Sequence, residues 1–389
     1  MRFAVCIFFT LVAIGPQSNC VADSVRYNIV ALDVLPGGVD SYATGINELG
    51  MVVGHSTLDR SGNVGRSRPV MWDSSGRPTE LWPNDGAFSP GGIPLGINNA
   101  GQVVGRYGVG SGVPLKEIGI PTGRGFIWDA VNGRRDLGSL GGGRIEATAI
   151  NELGQVAGSS STGRTDVEGI IEEAFIWDTV NGMQGLGTLG GVVSRATAIN
   201  NLGKIAGTSW LIDQSERPFI WDAVGGMQNL GSISGAATRA LGINDLVEVT
   251  GIDWGTRLES GGMTIWTSAD ATLFPSSSGW SLFPADINNL GQIVGWGNPD
   301  GVVRAVVWDQ TRGFEDLTSL ISSNPGWVLE AATAVNDRGA IIGYGYLNGD
   351  VRGYLLNPVP EPSTLAITTI GGVASLLILF SRRRVAALR

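Results

Sequence analysis

The chain has 389 residues, of which 60 are glycine, and it carries 35 acidic against 26 basic side chains, a net charge of −9. An acidic, glycine-rich chain repels nucleic acid, so we set a nucleic-acid partner aside. The chain has one histidine, His55, and two cysteines, Cys6 and Cys20. This set provides neither a histidine cluster for zinc nor a Ser-His-Asp triad that could be cross-checked. We therefore expect no catalytic residue, no cofactor and no metal site.

The first 22 residues have the three parts of a secretory signal. Met1-Arg2 is a short basic region, residues 3–14 are mostly apolar, and Gly15-Pro16 interrupts that run before a polar stretch. Small residues follow at a suitable cleavage position. The sequence predicts a cleaved signal peptide over residues 1–22 and a mature chain that begins near Asp23. Cleavage would remove both cysteines.

Seven copies of a repeat fill residues 23–357. The core of each copy reads Ile-Asn-x-x-Gly-x-hydrophobic-hydrophobic-Gly, with valine for isoleucine in the last. The asparagines are Asn47, Asn98, Asn151, Asn200, Asn244, Asn288 and Asn336. A run of the type Phe-Ile-Trp-Asp follows each core, and a segment of the type Leu-Gly-x-Leu-Gly-Gly follows most of these runs. Each copy is about 44 to 53 residues long, which is the period of a propeller blade.

The pattern predicts four short antiparallel strands, a to d, in each copy. Ala-Thr-Ala-Ile is strand a, and Asn-x-x-Gly is a hairpin turn that asparagine caps and glycine completes. The Val-Val-Gly segment is strand b, Phe-Ile-Trp-Asp is strand c, and Leu-Gly-x-Leu is strand d. We interpret the recurring tryptophans as blocks that pack between blades. Copy five departs from the pattern, since Val247 replaces the turn glycine and Thr267 the aspartate.

The two ends of the array complement each other. Leu32–Gly38 is a d-type element with no strands before it, and the seventh copy has no d-type element after it. We therefore predict an all-β, seven-bladed propeller that an N-terminal strand closes. A stacked solenoid is the alternative, but it requires polar capping repeats, and none is visible.

The last thirty or so residues have a three-part order. Pro360-Glu361-Pro362 comes first, an apolar run from Leu365 to Phe380 follows, and Arg382, Arg383 and Arg384 end it. Sixteen residues in a helix cover about 24 Å, close to the ~30 Å hydrocarbon core of a bilayer. The sequence predicts a transmembrane helix within a terminal segment, 358–389, with the arginines on the cytoplasmic side.

This tail resembles the PEP-CTERM sorting signal of bacteria that export proteins through an exosortase. The resemblance implies recognition of Pro360-Glu361-Pro362 by the exosortase, a transient membrane anchor that is then removed, and delivery to the cell surface or its polysaccharide matrix. A plain tail anchor with a proline-rich neck is the alternative. The repeats resemble the HAF family of extracellular repeats, which brings little information about biochemical activity.

The connections between strands b and c differ greatly in length. The three longest, 55–67, 106–123 and 159–172, belong to consecutive blades, and the long link 82–92 opens on the same face. Binding residues often lie on such loops of a rigid scaffold. We expect a ligand face that includes the polar side chains of Arg60, Tyr107, Lys116, Glu117, Arg164 and Asp166.

Three classes of function are compatible with these features. The first is a non-enzymatic surface or exopolysaccharide-matrix protein that binds a glycan or another protein. The second is a structural spacer of the cell surface. The third is a secreted propeller enzyme that acts on polysaccharide through carboxylates and tyrosine. His55 follows strand b of the first copy, and we interpret it as a loop residue rather than a base.

Overall fold

A computed structural model describes residues 25–60, 67–82, 91–108, 123–166, 169–255, 262–267, 270–275, 282–298 and 301–359. The predicted signal peptide lies outside these residues, as do the sorting motif Pro360–Pro362, the apolar run Leu365–Phe380 and the arginines Arg382–Arg384. Within the described ranges, no helix is both long and apolar enough to cross a membrane.

The described residues form seven four-stranded antiparallel sheets, the blades of a propeller. Blade 1 contains β2 (Asp40–Ile46), β3 (Val52–Thr57), β4 (Ser67–Trp72) and β5 (Pro78–Glu80). Blade 2 contains β6 (Gly92–Ile97), β7 (Val103–Gly108), β8 (Gly123–Asp129) and β9 (Gly133–Asp136). Blade 3 contains β10 (Ile145–Ile150), β11 (Val156–Asp166), β12 (Gly169–Asp178) and β13 (Gly182–Gly185). Blade 4 contains β14 (Ser194–Ile199), β15 (Ile205–Trp210), β16 (Glu216–Asp222) and β17 (Gly226–Asn229).

The remaining blades follow the same order. Blade 5 contains β18 (Thr238–Ile243), β19 (Val249–Asp253), β20 (Gly262–Trp266) and β21 (Ala271–Pro275). Blade 6 contains β22 (Leu282–Ile287), β23 (Ile293–Gly297), β24 (Arg304–Asp309) and β25 (Gly313–Asp316), and a short 3-10 helix, Leu317–Leu320, follows it. Blade 7 contains β26 (Trp327–Val335), β27 (Ile341–Leu347), β28 (Asp350–Pro358) and the N-terminal strand β1 (Tyr27–Leu32).

The N-terminal strand closes the ring, as the sequence predicted. Tyr27 pairs with Pro358 and Leu32 pairs with Gly353, so β1 is the outermost strand of blade 7. Both Tyr27 and Leu32 are almost completely buried. The d-type element recognised in the sequence, Leu32–Gly38, begins only at the last residue of this strand.

The assignment of strand d to the Leu-Gly-x-Leu segment was wrong. In blade 2, strand d is Gly133–Asp136, and Leu137 to Gly142 form the connection to the next blade. Gly138 and Gly141 have φ of 78° and 111°, which an extended strand does not accommodate. The apolar spacing that resembles a strand has another cause, because Leu137 and Leu140 pack into the core between blades 2 and 3.

Each Asn-x-x-Gly segment forms the predicted hairpin turn. In blade 1, Asn47 Oδ1 accepts hydrogen bonds from the backbone N–H of Leu49 at 3.1 Å and of Met51 at 2.9 Å. Gly50 has φ of 79°, the left-handed conformation that the turn needs. Blade 5 keeps the turn without glycine, because Val247 takes φ of 65°, a conformation that strains a β-branched residue.

The same asparagines connect neighbouring blades, a role that the repeat pattern did not reveal. Each side-chain Nδ2 donates a hydrogen bond of 2.9–3.1 Å to the backbone carbonyl of the equivalent asparagine in the next blade. The last bond runs from Asn336 in blade 7 to Asn47 in blade 1. The described residues thus contain a closed ring of seven asparagine–carbonyl hydrogen bonds.

A second ring lies beside the first, at the position after each asparagine. Each backbone N–H there donates to the side-chain oxygen of the equivalent residue in the next blade, over 2.7–3.2 Å. The members are Glu48, Asn99, Glu152, Asn201, Asp245, Asn289 and Asp337. Polar residues therefore recur at this position because each one accepts a bond that links two blades.

Close packing between strands a and b explains the glycine that ends each repeat core. A Cβ added to it would lie 2.0–2.2 Å from a carbonyl oxygen of strand a in all seven blades. Strand a bulges at this point in every blade, so its backbone approaches strand b closely. Apolar side chains, including the buried strand-c residues Trp72 and Phe126, fill the space between blades.

We predict that Gly207→Ala lowers the free energy of unfolding by roughly 1–3 kcal/mol. The new methyl group would meet the Arg195 carbonyl oxygen at 2.2 Å and the Phe219 ring at 2.6 Å. Urea denaturation measures the change. Gly108→Ala is the matched control, since no atom of the described residues is recorded within 4 Å of its added Cβ. Equal stability of the two variants would contradict the close-approach explanation.

The substitution Asn200→Asp tests the ring of asparagine–carbonyl hydrogen bonds. Aspartate keeps an acceptor for the N–H groups of Leu202 and Lys204 but cannot donate to the Asn244 carbonyl, 3.0 Å away. We expect a loss of roughly 1–3 kcal/mol at pH 7, because a buried carboxylate would face the Asn244 carbonyl, which keeps only the N–H of Val247 as a partner. Acidification should recover part of the loss, since a protonated carboxyl can donate again. A variant as stable as the wild type at pH 7 would show that the ring contributes little.

Candidate functional site

The antiparallel strand order divides the propeller into two faces. The a–b and c–d turns lie on one side, which we call the asparagine face because it contains the Asn-x-x-Gly turns. The b–c and d–a connections lie on the other, which we call the long-loop face. The pairing of Tyr27 with Pro358 places both ends of the propeller on the asparagine face.

Two of the predicted ligand residues are exposed on the long-loop face, and each has a partner. Arg60 contacts Asp40 and Asp350, both with N–O distances of 3.3 Å. Arg164 Nη2 lies 2.7 Å from Glu173 Oε1. They belong to blades 1 and 3, and the structure does not bring them together in one site.

The other predicted ligand residues do not form a site either. Tyr107 is only 6% exposed, contrary to our expectation. Its ring packs near Phe126 and under the guanidinium of Arg134, and its hydroxyl donates to Asp136. Lys116, Glu117 and the side chain of Asp166 lie outside the described residues.

The long segment of blade 3 is not the loop that we expected over 159–172. Strands β11 and β12 continue through it as a ladder, with Ser161 opposite Glu172 and Asp166 opposite Gly169. This pairing lengthens strands b and c of blade 3 to 11 and 10 residues. A shallow groove of about 490 Å³ lies nearby, lined by several glycines and by the ion pair of Arg124 and Asp136, 2.8 Å apart.

A layer of seven cross-strand pairs lies at the long-loop end of the central channel. Each pair joins the residue before the bulged segment of strand a to the residue after the closing glycine of strand b. The pairs are Tyr42–His55, Ile93–Arg106, Glu146–Ser159, Arg195–Thr208, Arg239–Ile252, Phe283–Trp296 and Ala331–Tyr344. These residues vary from blade to blade, whereas the residues around them repeat.

From blade 2 to blade 5, members of this layer form an ionic arc together with two glutamates of strand c, Glu172 and Glu216. Arg106 lies 3.2 Å from Glu146 of the next blade. Glu172 accepts from Arg195 at 2.9 and 3.1 Å and from Ser159. Glu216 accepts from Arg239 at 2.8 Å. Each arginine here has a carboxylate partner, so the arc presents polar groups with little net charge.

The pKa of Glu172 reflects two opposing effects. Burial favours the neutral carboxyl, but the hydrogen bonds from Arg195 and Ser159 outweigh it and hold the pKa of Glu172 below its usual range. Its side chain is 9% exposed, while that of Arg195 is 43% exposed. The carboxylate is thus charged at neutral pH, and it fixes arginines whose other N–H groups can reach solvent.

From blade 5 through blade 7 to blade 1, the layer forms an aromatic arc. Phe283 and Trp296 stack with ring centroids 4.0 Å apart, and Trp254 lies 5.6 Å from Phe283. Tyr344 meets Tyr42 edge-on at 5.3 Å. All five rings are half-buried, so each keeps part of its surface accessible.

The aromatic arc was missed by sequence reasoning, although a signal was present. Trp296, Tyr344 and His55 all occupy the variable position after the closing glycine of the repeat. Comparison of the seven copies at that single position separates four small, charged or aliphatic side chains from three rings. The repeat pattern pointed instead to the strand-c tryptophans, because they recur in most copies.

His55 belongs to strand β3 and not to a loop. Its ring stacks on Tyr42, with centroids 5.1 Å apart. Burial and the nearby charge of Arg106 lower the pKa of His55 to about 4. The imidazole is therefore neutral at neutral pH, and its role within the described residues is to support Tyr42.

A central channel of about 380 Å³ runs below this layer and is lined by strand a of all seven blades. Threonines at the bulge bridge adjacent blades: Thr44 donates to Val53 at 3.1 Å and to Pro94 at 2.7 Å. Blades 2 and 5 have Leu95 and Leu241 at that position, and blade 6 has Ala285 and connects differently. Asp286 accepts from the backbone N–H of Val335 in blade 7 at 3.0 Å.

The described residues contain no group of three or more histidine, cysteine or acidic side chains that could hold a metal ion. Asp253 shows how other buried acids are used. It accepts hydrogen bonds from Ser232, Ser234 and nearby backbone groups of the d–a connection. Although burial opposes ionisation, these bonds hold its pKa below the usual range.

We expect the stability of the protein to depend on pH through Asp286. Burial raises the pKa of Asp286 from its ordinary value of 3.8 to about 7. Between these values the folded protein keeps a proton that the unfolded chain loses, so stability falls as pH rises from about 4 to about 7, by at most about 1.4 kcal/mol per pH unit. Asp286→Asn should remove this fall and exceed the wild type in stability at pH 8.

Urea denaturation at pH 5 and pH 8 measures how the free energy of unfolding changes with pH in the wild type and in the variant. Asp253→Asn is the control of opposite sign, because its carboxylate is stabilised in the folded state. That variant should lose stability at pH 8. If Asp286→Asn is less stable than the wild type at pH 8, the carboxylate is a net stabilising group and the inferred pKa direction is wrong.

No protein-family model and no curated protein sequence matches the chain. Among solved structures, the chain is similar to the β-propeller domain of the Trilobed protease from Pyrococcus furiosus, with a TM-score of 0.54, 13% identity and coverage of 82% of this chain and 94% of that one. It is also similar to a puromycin-hydrolyzing peptidase of Mycobacterium tuberculosis, with a TM-score of 0.53, 13% identity and coverage of 85% and 55%. At these identities the likeness shows the fold alone, a β-propeller.

Proposed function

We propose that this protein is an exported, non-enzymatic component of the cell surface or its polysaccharide matrix, and that the channel mouth on its long-loop face binds a neutral glycan. The exosortase recognises the tail at Pro360-Glu361-Pro362 and removes it. Until that removal, Leu365–Phe380 holds the chain in the membrane. The sequence features at the two ends support export and sorting. The aromatic arc and the ionic arc support the binding of a neutral glycan.

The aromatic arc is the observation that carries the binding proposal. The C–H face of a sugar ring is apolar, and it gains dispersion and hydrophobic energy when it packs on an aromatic ring. Trp254, Trp296 and Tyr344 offer such rings near the ends of strands b on the long-loop face. They are half-buried, so the scaffold holds them in place while part of each ring is accessible.

The ionic arc supplies the polar half of the site. Sugar hydroxyls both donate and accept, and the Glu172–Arg195 and Glu216–Arg239 pairs offer both kinds of group in fixed positions. Because each arginine is neutralised by its partner, the mouth has no excess of positive charge for a polyuronate. The net charge of −9 acts against an anionic polymer as well.

Affinity electrophoresis in gels that contain a neutral glucan or a polyuronate tests this proposal. We expect retardation by the glucan alone, with little dependence on salt. Trp296→Ala and Tyr344→Ala should each weaken retardation by about tenfold, equivalent to about 1.4 kcal/mol. The assay is run well below the melting temperature of each variant.

Trp221→Ala is the matched control. Trp221 is also half-buried, but it lies at the end of strand c next to the asparagine face. The Trp221→Ala variant should bind the glucan as the wild type does. Retardation by the polyuronate alone would reverse the ligand class. Absence of binding to any polysaccharide would favour the structural-spacer function.

A further inference from the structure

The asparagine face carries a regular set of exposed apolar side chains. Five leucines occupy the tips of the a–b turns and are 58–70% exposed: Leu49, Leu153, Leu202, Leu246 and Leu290. Three valines occupy the tips of c–d turns and are 88–99% exposed: Val131, Val180 and Val224. Single exposed apolar residues are ordinary on a protein surface. Eight of them at the turn tips of one face form a recurring set.

The turn chemistry does not require these side chains. In each a–b turn, Asn and Gly determine the backbone, and Ala100 and Arg338 occupy the leucine position in blades 2 and 7. In the c–d turns an aspartate such as Asp178 caps the turn by accepting from the N–H of Val180. Large apolar side chains at these tips therefore contribute nothing visible to the fold itself.

On the opposite face, most large apolar side chains of the described residues are less exposed. Examples are Val328 at 52% and Ile233 at 45%. Ile212 in the b–c connection of blade 4 is the exception, at 78%. Blade 4 thus has one highly exposed aliphatic residue at the b–c connection, Ile212, and one at the a–b turn, Leu202.

The chain leaves the propeller on the same asparagine face. Strand β28 ends at Pro358 on that face, and only residues 360–364 separate Val359 from the apolar run that begins at Leu365. Six Cα steps reach at most about 20 Å. If residues 365–380 cross a bilayer, the end of β28 lies within about 20 Å of its surface, and the asparagine face is the side of the propeller on which this tether is attached.

We infer that, while the tail is intact, the asparagine face rests on the lipid bilayer, with the leucine and valine tips in the boundary between headgroups and acyl chains. This inference depends on the membrane-held form in the proposed function. The short linker sets the distance, and the eight apolar tips supply the contact. The glycan mouth then points away from the membrane, and Pro360-Glu361-Pro362 lies at the bilayer surface.

The charges of this face argue for lipid over a second copy of the chain. Four carboxylates, those of Glu48, Glu152, Asp245 and Asp337, surround the channel at its centre. Two such faces in contact would bring eight carboxylates together, which is costly. A zwitterionic headgroup layer can accommodate the carboxylates in water, while the surrounding tips contact its apolar part.

Site-specific fluorescence tests the inference on the full chain with Cys6 and Cys20 changed to serine. Leu202→Cys and Ile212→Cys are each labelled with an environment-sensitive dye and reconstituted into phosphatidylcholine vesicles, which are recovered by flotation. The dye at position 202 should be quenched at least twofold more than the dye at 212 by a lipid that carries a headgroup spin label. Its emission should also shift to the blue.

The outcomes separate the inference from the function on which it rests. If the chain floats with the vesicles but both dyes are quenched equally, the tail is an anchor. The inference that the asparagine face contacts the bilayer is then wrong. If the chain does not float with the vesicles, both the anchor and the seating fail. A blue shift at position 202 that grows with protein concentration and resists the spin-labelled lipid would assign the face to a second copy. The glycan assay is independent of all three results.

Discussion

The circle of asparagine–carbonyl hydrogen bonds is the interaction on which the rest of the structure depends. In each blade one side chain both shapes its own turn through Oδ1 and holds the next blade through Nδ2. Local conformation and long-range packing therefore use the same residue. Because every blade is held to the next in the same way, the strands differ little in position from blade to blade, and variation is confined to what lies outside the ring.

That arrangement explains why the two faces differ in character. On the asparagine face the a–b turns are short and nearly identical, and leucine recurs at their tips in five of the seven blades. On the long-loop face the connections differ in length, and the layer below them changes from arginine–glutamate pairs to aromatic rings. The repetitive face suits contact with a uniform surface, whereas the varied face suits recognition of one ligand.

The sequence was sufficient to predict the fold because its evidence is local and repeated seven times. Asn, Gly and the alternating apolar residues specify turns and strands within each copy, and the count of d-type elements predicted how blade 7 closes. The position of strand d was mistaken because Leu137 and Leu140 have the spacing of a strand while they anchor a connection between blades.

The site was harder to predict than the fold. Its residues come from different blades, and only the three-dimensional ring brings Trp254 near Phe283 or Glu172 near Arg195. Tyr107 looked like a surface residue because it follows strand b at the start of a long connection. The structure buries it, because Arg134 of the neighbouring strand pair covers its ring and Asp136 binds its hydroxyl.

The pairing of β1 with β28 has a consequence for the order of folding. Tyr27 is among the first residues of the propeller to be synthesised and Pro358 is the last, yet they are direct partners in one sheet. Blades 1 to 6 can form while synthesis continues, but blade 7 lacks its outer strand until the chain is nearly complete. Until then β1 is an unpaired edge that can join another strand. A cell that makes this protein must keep its first strand shielded until its last strand arrives.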